Sequence, residues 1–216
     1  YLWYGVGSLL FIVAALFPVM STIGKSGFRL SRDVGPTLDG ALFMKATTDY
    51  FEGGVESLID MSLDYRAITW LQDNVEGSPV IIEGRSPQEE YYWGGRIAIH
   101  TGLPSVQGWN FHQRQQRTLK DLGELVWQRV YNINYFYTTL SPSAAWRIID
   151  YFDIEYIVVA GLERANYGLD GGLAKFDQMV SDGWLEPALV FDDMTLVYRV
   201  LQENGPGLSV VMHNEP

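Results

Sequence analysis

Residues 1–24 carry no charged side chain, and all 15 basic and 26 acidic residues lie downstream of them. A bilayer hydrocarbon core about 30 Å thick is crossed by a helix of about 20 apolar residues. The run YLWYGVGSLLFIVAALFPVM fills that length, with Tyr1, Trp3 and Tyr4 at one end, where interfacial aromatics sit. The division predicts one membrane helix over residues 1–24 and an acidic water-soluble region after it. A secretory signal would carry a basic start, a shorter apolar core and small residues at a cleavage site. Phe17-Pro18-Val19-Met20 stands where those small residues belong. A buried core helix is the other alternative, and 20 residues without a charge is long for one. With Tyr rather than Met first, the chain is expected to start within a longer protein, residues 1–20 being the last of several spans.

The region beyond residue 24 is long enough for one domain with a proper core. At 47% hydrophobic and 14% aromatic residues the chain is globular rather than disordered. A net charge of −11 argues against nucleic acid or anionic lipid as the main partner, because phosphate recognition needs clustered Lys and Arg. The absence of cysteine removes disulfides, thiolate metal sites and thiol nucleophiles. Lys25, Arg29 and Arg32 follow the apolar run closely, which by the positive-inside rule favours a cytoplasmic domain.

Residues 25–61 read as an irregular connector, with Gly27, Gly35, Pro36 and Gly40 as breakers. The domain proper is expected over 62–201 and a loose tail over 202–216. Tyr65, Ile68, Leu71 and Val75 recur at helical spacing through 63–74, and Pro79-Val80-Ile81-Ile82-Glu83 reads as a buried parallel strand. Arg96-Ile97-Ala98-Ile99-His100 reads as a second strand. From Arg114 to about Asn134, Leu119, Leu122, Leu125, Val126 and Val130 share one helical face. Ser141-Pro142 opens a helix to Asp150. Residues 154–159 form a third strand, ended by the breaker Gly161. Residues 172–182 read as a helix, and two closing strands, 189–192 and 195–200, flank an Asp192-Asp193 turn. This alternation predicts an α/β domain with a mainly parallel sheet and an antiparallel edge.

In such sheets ligands collect beyond the carboxyl ends of the strands. Glu83-Gly84-Arg85, His100-Thr101-Gly102 running on to Gly108-Trp109 and His112-Gln113-Arg114, and Gly161-Leu162-Glu163-Arg164 occupy those places. Each also has a structural reading. Glu83 can cap a helix or pair with an arginine, and a histidine such as His100 at a strand end is commonly a satisfied structural residue. Tyr91, Tyr92 and Trp93 suit core packing and a sugar platform equally. Gly108 favours an exposed ring at Trp109. His100, His112 and Glu83 would have to meet from separate loops to hold a metal, so neither metal nor cofactor is expected. No nucleophile elbow, P-loop or HExxH helix occurs, and Gly94-Gly95-Arg96 precedes rather than follows a strand. No catalytic set lies within the chain.

The ordered set Thr37-Leu38-Asp39-Gly40, Met44, Asp64-Tyr65-x-Ala67-Ile68-x-Trp70-Leu71, Pro79-Val80-Ile81-Ile82-Glu83 and Gly95-Arg96-Ile97-Ala98-x-His100-Thr101-Gly102-Leu103-Pro104 opens a longer pattern. Gly108-Trp109-x-x-His112-Gln113-x-Gln115-x-Arg117 and Glu163-Arg164-x-x-Tyr167 continue it. The set resembles the C-terminal part of the "YYY" family of polytopic membrane proteins, grouped with GT-C type glycosyltransferases, over roughly residues 37–200. The resemblance implies an enzyme using a polyprenyl-phosphate sugar, its catalytic acid on an early loop outside this chain and its C-terminal domain outside the cell membrane. The implied role here is donor or acceptor binding. Glu83, Tyr92, Trp93, Arg96, His100, Trp109, His112, Gln113, Arg117 and Arg164 supply ring faces, amides, carboxylate and guanidiniums for hydroxyls and phosphate. The alternative is a non-catalytic anchored subunit that docks other membrane subunits through its helix.

Overall fold

The computed structural model describes residues 1–29, 34–35, 37–87, 92–116 and 122–206. Helix α1 (Leu2–Arg29) takes up the apolar run. Its segment Leu2–Lys25 is the one stretch among the described residues long and apolar enough to cross a membrane, and none of it is buried against the rest of the chain. Pro18 sits inside α1, and Ser21 donates its hydroxyl to the Pro18 carbonyl at 3.2 Å. Arg32 lies outside the described residues.

The connector holds a short helix, α2 (Leu42–Lys45), and an antiparallel bridge between Tyr50 and Ile59. Met44, Val55 and Ile59 are buried in the domain's core, so this stretch is part of the domain. Helix α3 (Met61–Asn74) begins where the Asp60 carboxylate accepts from the Ser62 N–H at 2.9 Å, a side-chain cap for an otherwise orphaned donor. Strand β1 (Val80–Ile82) follows.

The next segment differs from its expected form. Arg96–Thr101 is a helix, α4, not a strand. Alternation of Ile97 and Ile99 imitates a half-buried strand, yet Ile97 is buried and Ile99 is 61% exposed, which two residues on one strand face could not be. Left-handed Gly95 and Gly102 bracket the helix, and a carboxylate from β1's end caps it. Helix α5 (Asn110–Gln115) is separate from α6 (Leu122–Thr138), so Arg114 belongs to a different helix from Val126 and Val130. The polar run His112-Gln113-Arg114-Gln115-Gln116 carries no apolar stripe that would have revealed the division.

Helix α7 (Pro142–Phe152) has Ser141 as its cap, strand β2 (Ile154–Val158) follows, and α8 (Gly161–Tyr167) starts at the glycine expected to be only a breaker. A Cβ on Gly161 would collide with the Asp60 carbonyl, so glycine lets α8 dock on the start of α3. A 3₁₀ turn (Gly172–Ala174) leads into α9 (Lys175–Ser181). Strands β3 (Leu185–Phe191) and β4 (Met194–Val200) form a hairpin in which Asp192 and Asp193 have φ of 49° and 60°, the left-handed pair of a tight two-residue turn.

The sheet order is β1-β2-β4-β3. Only β1–β2 is parallel; β2–β4 and β4–β3 are antiparallel. The expected mainly parallel sheet is therefore a mixed one, because the second parallel strand is helix α4 and the chain closes with a hairpin. Two adjoining apolar clusters hold it. One is built from α6, α7, α9 and the strands, around Ile133, Phe136, Ile149, Ile157 and Phe176; the other packs α3, α4 and α8 through Ile68, Leu71, Ile97, Leu162 and Leu196. Each such buried side chain contributes about 1.5–3 kcal/mol.

Candidate functional site: an aromatic shelf over a buried guanidinium

The strongest concentration of charge is inside the domain. Arg96, at the first position of α4, is 2% exposed and faces three carboxylates from three other elements. Its Nη2 lies 2.8 Å from Asp64 Oδ1 on α3 and 2.7 Å from Glu163 Oε2 on α8, and its Nη1 lies 3.4 Å from Glu83 Oε2 beyond β1. The planar fork of a guanidinium suits several carboxylates at once.

The carboxylates are held by backbone and indole donors as well. Asp64 accepts from Gly161 N at 2.9 Å and from Trp93 Nε1 at 2.6 Å. Glu163 accepts from Gly84 N at 2.5 Å and from Ala160 N at 2.9 Å. Glu83 accepts from Ile97 N at 2.9 Å and Ala98 N at 3.0 Å, where the positive end of α4 favours an anion. Burial nevertheless dominates: it pushes Glu83 up to about 7, against the lowering influence of Arg96, and it raises Asp64 as well. Burial alone would lower Arg96, but Asp64 and Glu163 outweigh it and hold the guanidinium above its ordinary value. Three carboxylates thus share one guanidinium away from solvent.

This cluster joins α3, β1, α4 and α8 and has no access to solvent, so Glu83 and Arg96 act here as structural groups and present no surface to a ligand. Asp64 and Glu163 complete it. Asp64 carried a signal in the sequence: it shares the helical stripe of Met61, Ile68 and Leu71, an anion where the period calls for an apolar side chain.

Above the cluster lies a shelf of rings and amides. Trp93 hangs on it directly, its indole N–H on Asp64 and its backbone N–H on Glu52 Oε2 at 2.7 Å, with its ring near Phe43 and Tyr50 at 6.1 and 6.2 Å. Trp109 donates its indole N–H to the Gly94 carbonyl at 2.9 Å and lies 5.8 Å from the His112 ring, which meets Phe111 at 6.0 Å. Gln113 is half-buried, close enough to Gly108 that a Cβ there would press on its amide. Tyr92 is 43% exposed.

The other expected site residues are elsewhere. His100 lies in the last turn of α4, its carbonyl accepting from Gln72 at 2.7 Å; burial lowers its pKa, partly offset by Asp39. Arg164 donates to the Thr195 carbonyl at 2.8 Å, and burial lowers its pKa too. Tyr91 and Arg117 lie outside the described residues.

Several buried polar atoms in and beside the shelf have no hydrogen-bond partner among the described residues. They are Glu52 Oε1, Gln107 Oε1 and Asn110 Nδ2, although Gln107 and Asn110 bond each other through their remaining amide atoms at 2.9 Å. Glu52 holds Trp93, and Asn110 follows Trp109, so the orphaned atoms attach to the same ring-bearing loops. No group of three potential metal ligands occurs among the described residues. No protein-family model, curated protein or solved structure matches the chain.

Proposed function

We propose that this chain is the membrane-anchored, outward-facing recognition domain of a GT-C-like glycosyltransferase. In this reading it holds a lipid-linked sugar donor or its acceptor on the shelf of Trp93, Trp109, His112 and Gln113, and the catalytic acid lies on another segment. The observation that carries it is the grouping of the Trp93, Trp109 and His112 rings with the half-buried Gln113 amide on neighbouring loops. Ring faces stack on the apolar faces of sugars, and amides meet hydroxyls as donor and acceptor at once. The apolar helix keeps the domain at the bilayer surface, where a lipid-linked substrate resides.

Trp109→Ala, assayed in native membranes, should reduce sugar transfer at least about tenfold while the domain still unfolds cooperatively in urea. Unchanged transfer would refute the reading. A second reading, an anchored scaffold, is favoured by a different feature. Tyr131, Tyr135 and Tyr151 are exposed together along α6 and α7, next to Arg147, the residue types found at protein-interface hot spots. The intact mass of the native protein separates the two: a mass well above that of this chain supports the transferase, and a mass equal to it supports the scaffold.

A further inference from the structure

A second groove, sharing no residue with the shelf, runs between the outer stripe of α3 and the end of β3. It measures about 460 Å³, within the usual range of small-molecule sites. Lys45 of α2, Arg66, Trp70, Asp73 and Asn74 of α3 and Phe191 of β3 are among its lining.

Arg66 is the distinctive member. Its guanidinium carbon lies 3.6 Å from the centre of the Phe191 ring, a cation–π contact. Among the described residues no carboxylate comes within ion-pair distance of Arg66 or Lys45. In a chain of net charge −11, two cations line one groove with neither in an ion pair, Asp73 being the groove's one carboxylate. A guanidinium packed against a ring with no carboxylate partner is open to a bidentate acceptor, a phosphate or a carboxylate.

Seven residues along α3, about 10 Å of helix, separate Arg66 from Asp73. A ligand spanning the groove therefore places its anionic group at Arg66 and Lys45, a body with an apolar face against Trp70, and hydroxyl donors at the Asp73 carboxylate and the Asn74 amide oxygen. The Asn74 amide nitrogen is already given to the Trp70 carbonyl at 2.8 Å. An extended peptide pairing with β3 is a poorer fit. Pro187 lacks an N–H on that edge strand, and register shifts between Pro187 and Leu189 and between Leu189 and Val190 break its regularity.

We infer that this groove binds an anionic saccharide, a sugar ring bearing a phosphate or carboxylate, with Arg66 and Lys45 as the anion clamp. The inference does not rest on the transferase reading, since the groove and the shelf are probed by different variants. The test is calorimetric titration of the full chain in detergent micelles with glucose 1-phosphate, glucuronate, glucose and inorganic phosphate. Either acidic sugar should bind with a dissociation constant of about 1 mM or tighter. Glucose and inorganic phosphate should each bind at least about tenfold more weakly, because each offers only half of the contacts. Arg66→Gln, on the exposed face of α3, should weaken the acidic sugar at least about tenfold without moving the urea midpoint. Preference for glucose 1-phosphate over glucuronate, or the reverse, assigns the anion. Absence of binding at about 10 mM, equal binding by Arg66→Gln, or phosphate binding as tightly as glucose 1-phosphate would each overturn the inference.

Discussion

Replacing Arg96 by Met tests whether the buried cluster holds the domain together. Met keeps most of the apolar stem, so the change removes the charge and leaves little empty space. Asp64, Glu163 and Glu83 each lose one guanidinium contact, at 2.8, 2.7 and 3.4 Å, and each retains two other N–H donors. What remains is not a hydrogen-bond deficit but an excess of negative charge in a site sealed from water. Removing one partner of a buried ion pair costs about 3–5 kcal/mol. A domain stable by about 5–15 kcal/mol loses a large share of that.

The cost should depend on pH, because the carboxylates can take up protons in place of the lost cation. Each proton taken up recovers about 1.4 kcal/mol per pH unit below the pH where uptake begins. Urea unfolding of Arg96→Met in detergent micelles, followed by tryptophan fluorescence, should show the full loss near pH 8 and a smaller one near pH 5.5, with the urea slope unchanged. Arg96→Lys should recover part of the stability, having the charge without the fork. A loss below about 1 kcal/mol at pH 8, independent of pH, would refute a structural role for the cluster.

The native protein should show two pH-dependent signatures of its own. Glu83 is raised to about 7 by burial, from 4.5, so the folded state holds a proton that the unfolded chain releases. Stability should therefore fall as pH rises from about 4.5 to about 7, and Glu83→Gln should flatten that slope in a pH series of urea midpoints. Lys175 is lowered to about 7 by burial, its ammonium position lying 2.7 Å from the Gly172 carbonyl and 4.3 Å from the centre of the Phe176 ring. Between about 7 and about 10.5 the unfolded chain binds a proton that the native state does not, so stability should rise with pH by up to about 1.4 kcal/mol per unit, and Lys175→Met should abolish the rise.

The candidate sites divide in the same way as the fold. Trp93, Trp109, His112 and Gln113 stand together as rings and amides on neighbouring loops, an association visible from their closeness in sequence. Glu83 and Arg96 carried the right residue types for a ligand site, but their burial depends on α3 and α8 closing over them, which no local spacing reveals. The α3–β3 groove was equally invisible, because Arg66 meets Phe191 only after the hairpin folds back beside α3.

What the sequence determined by itself is what neighbouring residues decide among themselves. An apolar run of membrane-spanning length makes α1, the 3.6-residue stripe makes α3, Ser141-Pro142 opens α7, and Asp192-Asp193 turns the hairpin. The tertiary structure decided the sheet order, the helical state of Arg96–Thr101 and the burial of the charge cluster. Arg96 meets Glu163 across 67 residues and Gly161 meets Asp64 across 97. The alternation of Ile97 and Ile99 slightly favours a strand, but a distant carboxylate on the N–H groups of Ile97 and Ala98 overrides so weak a preference.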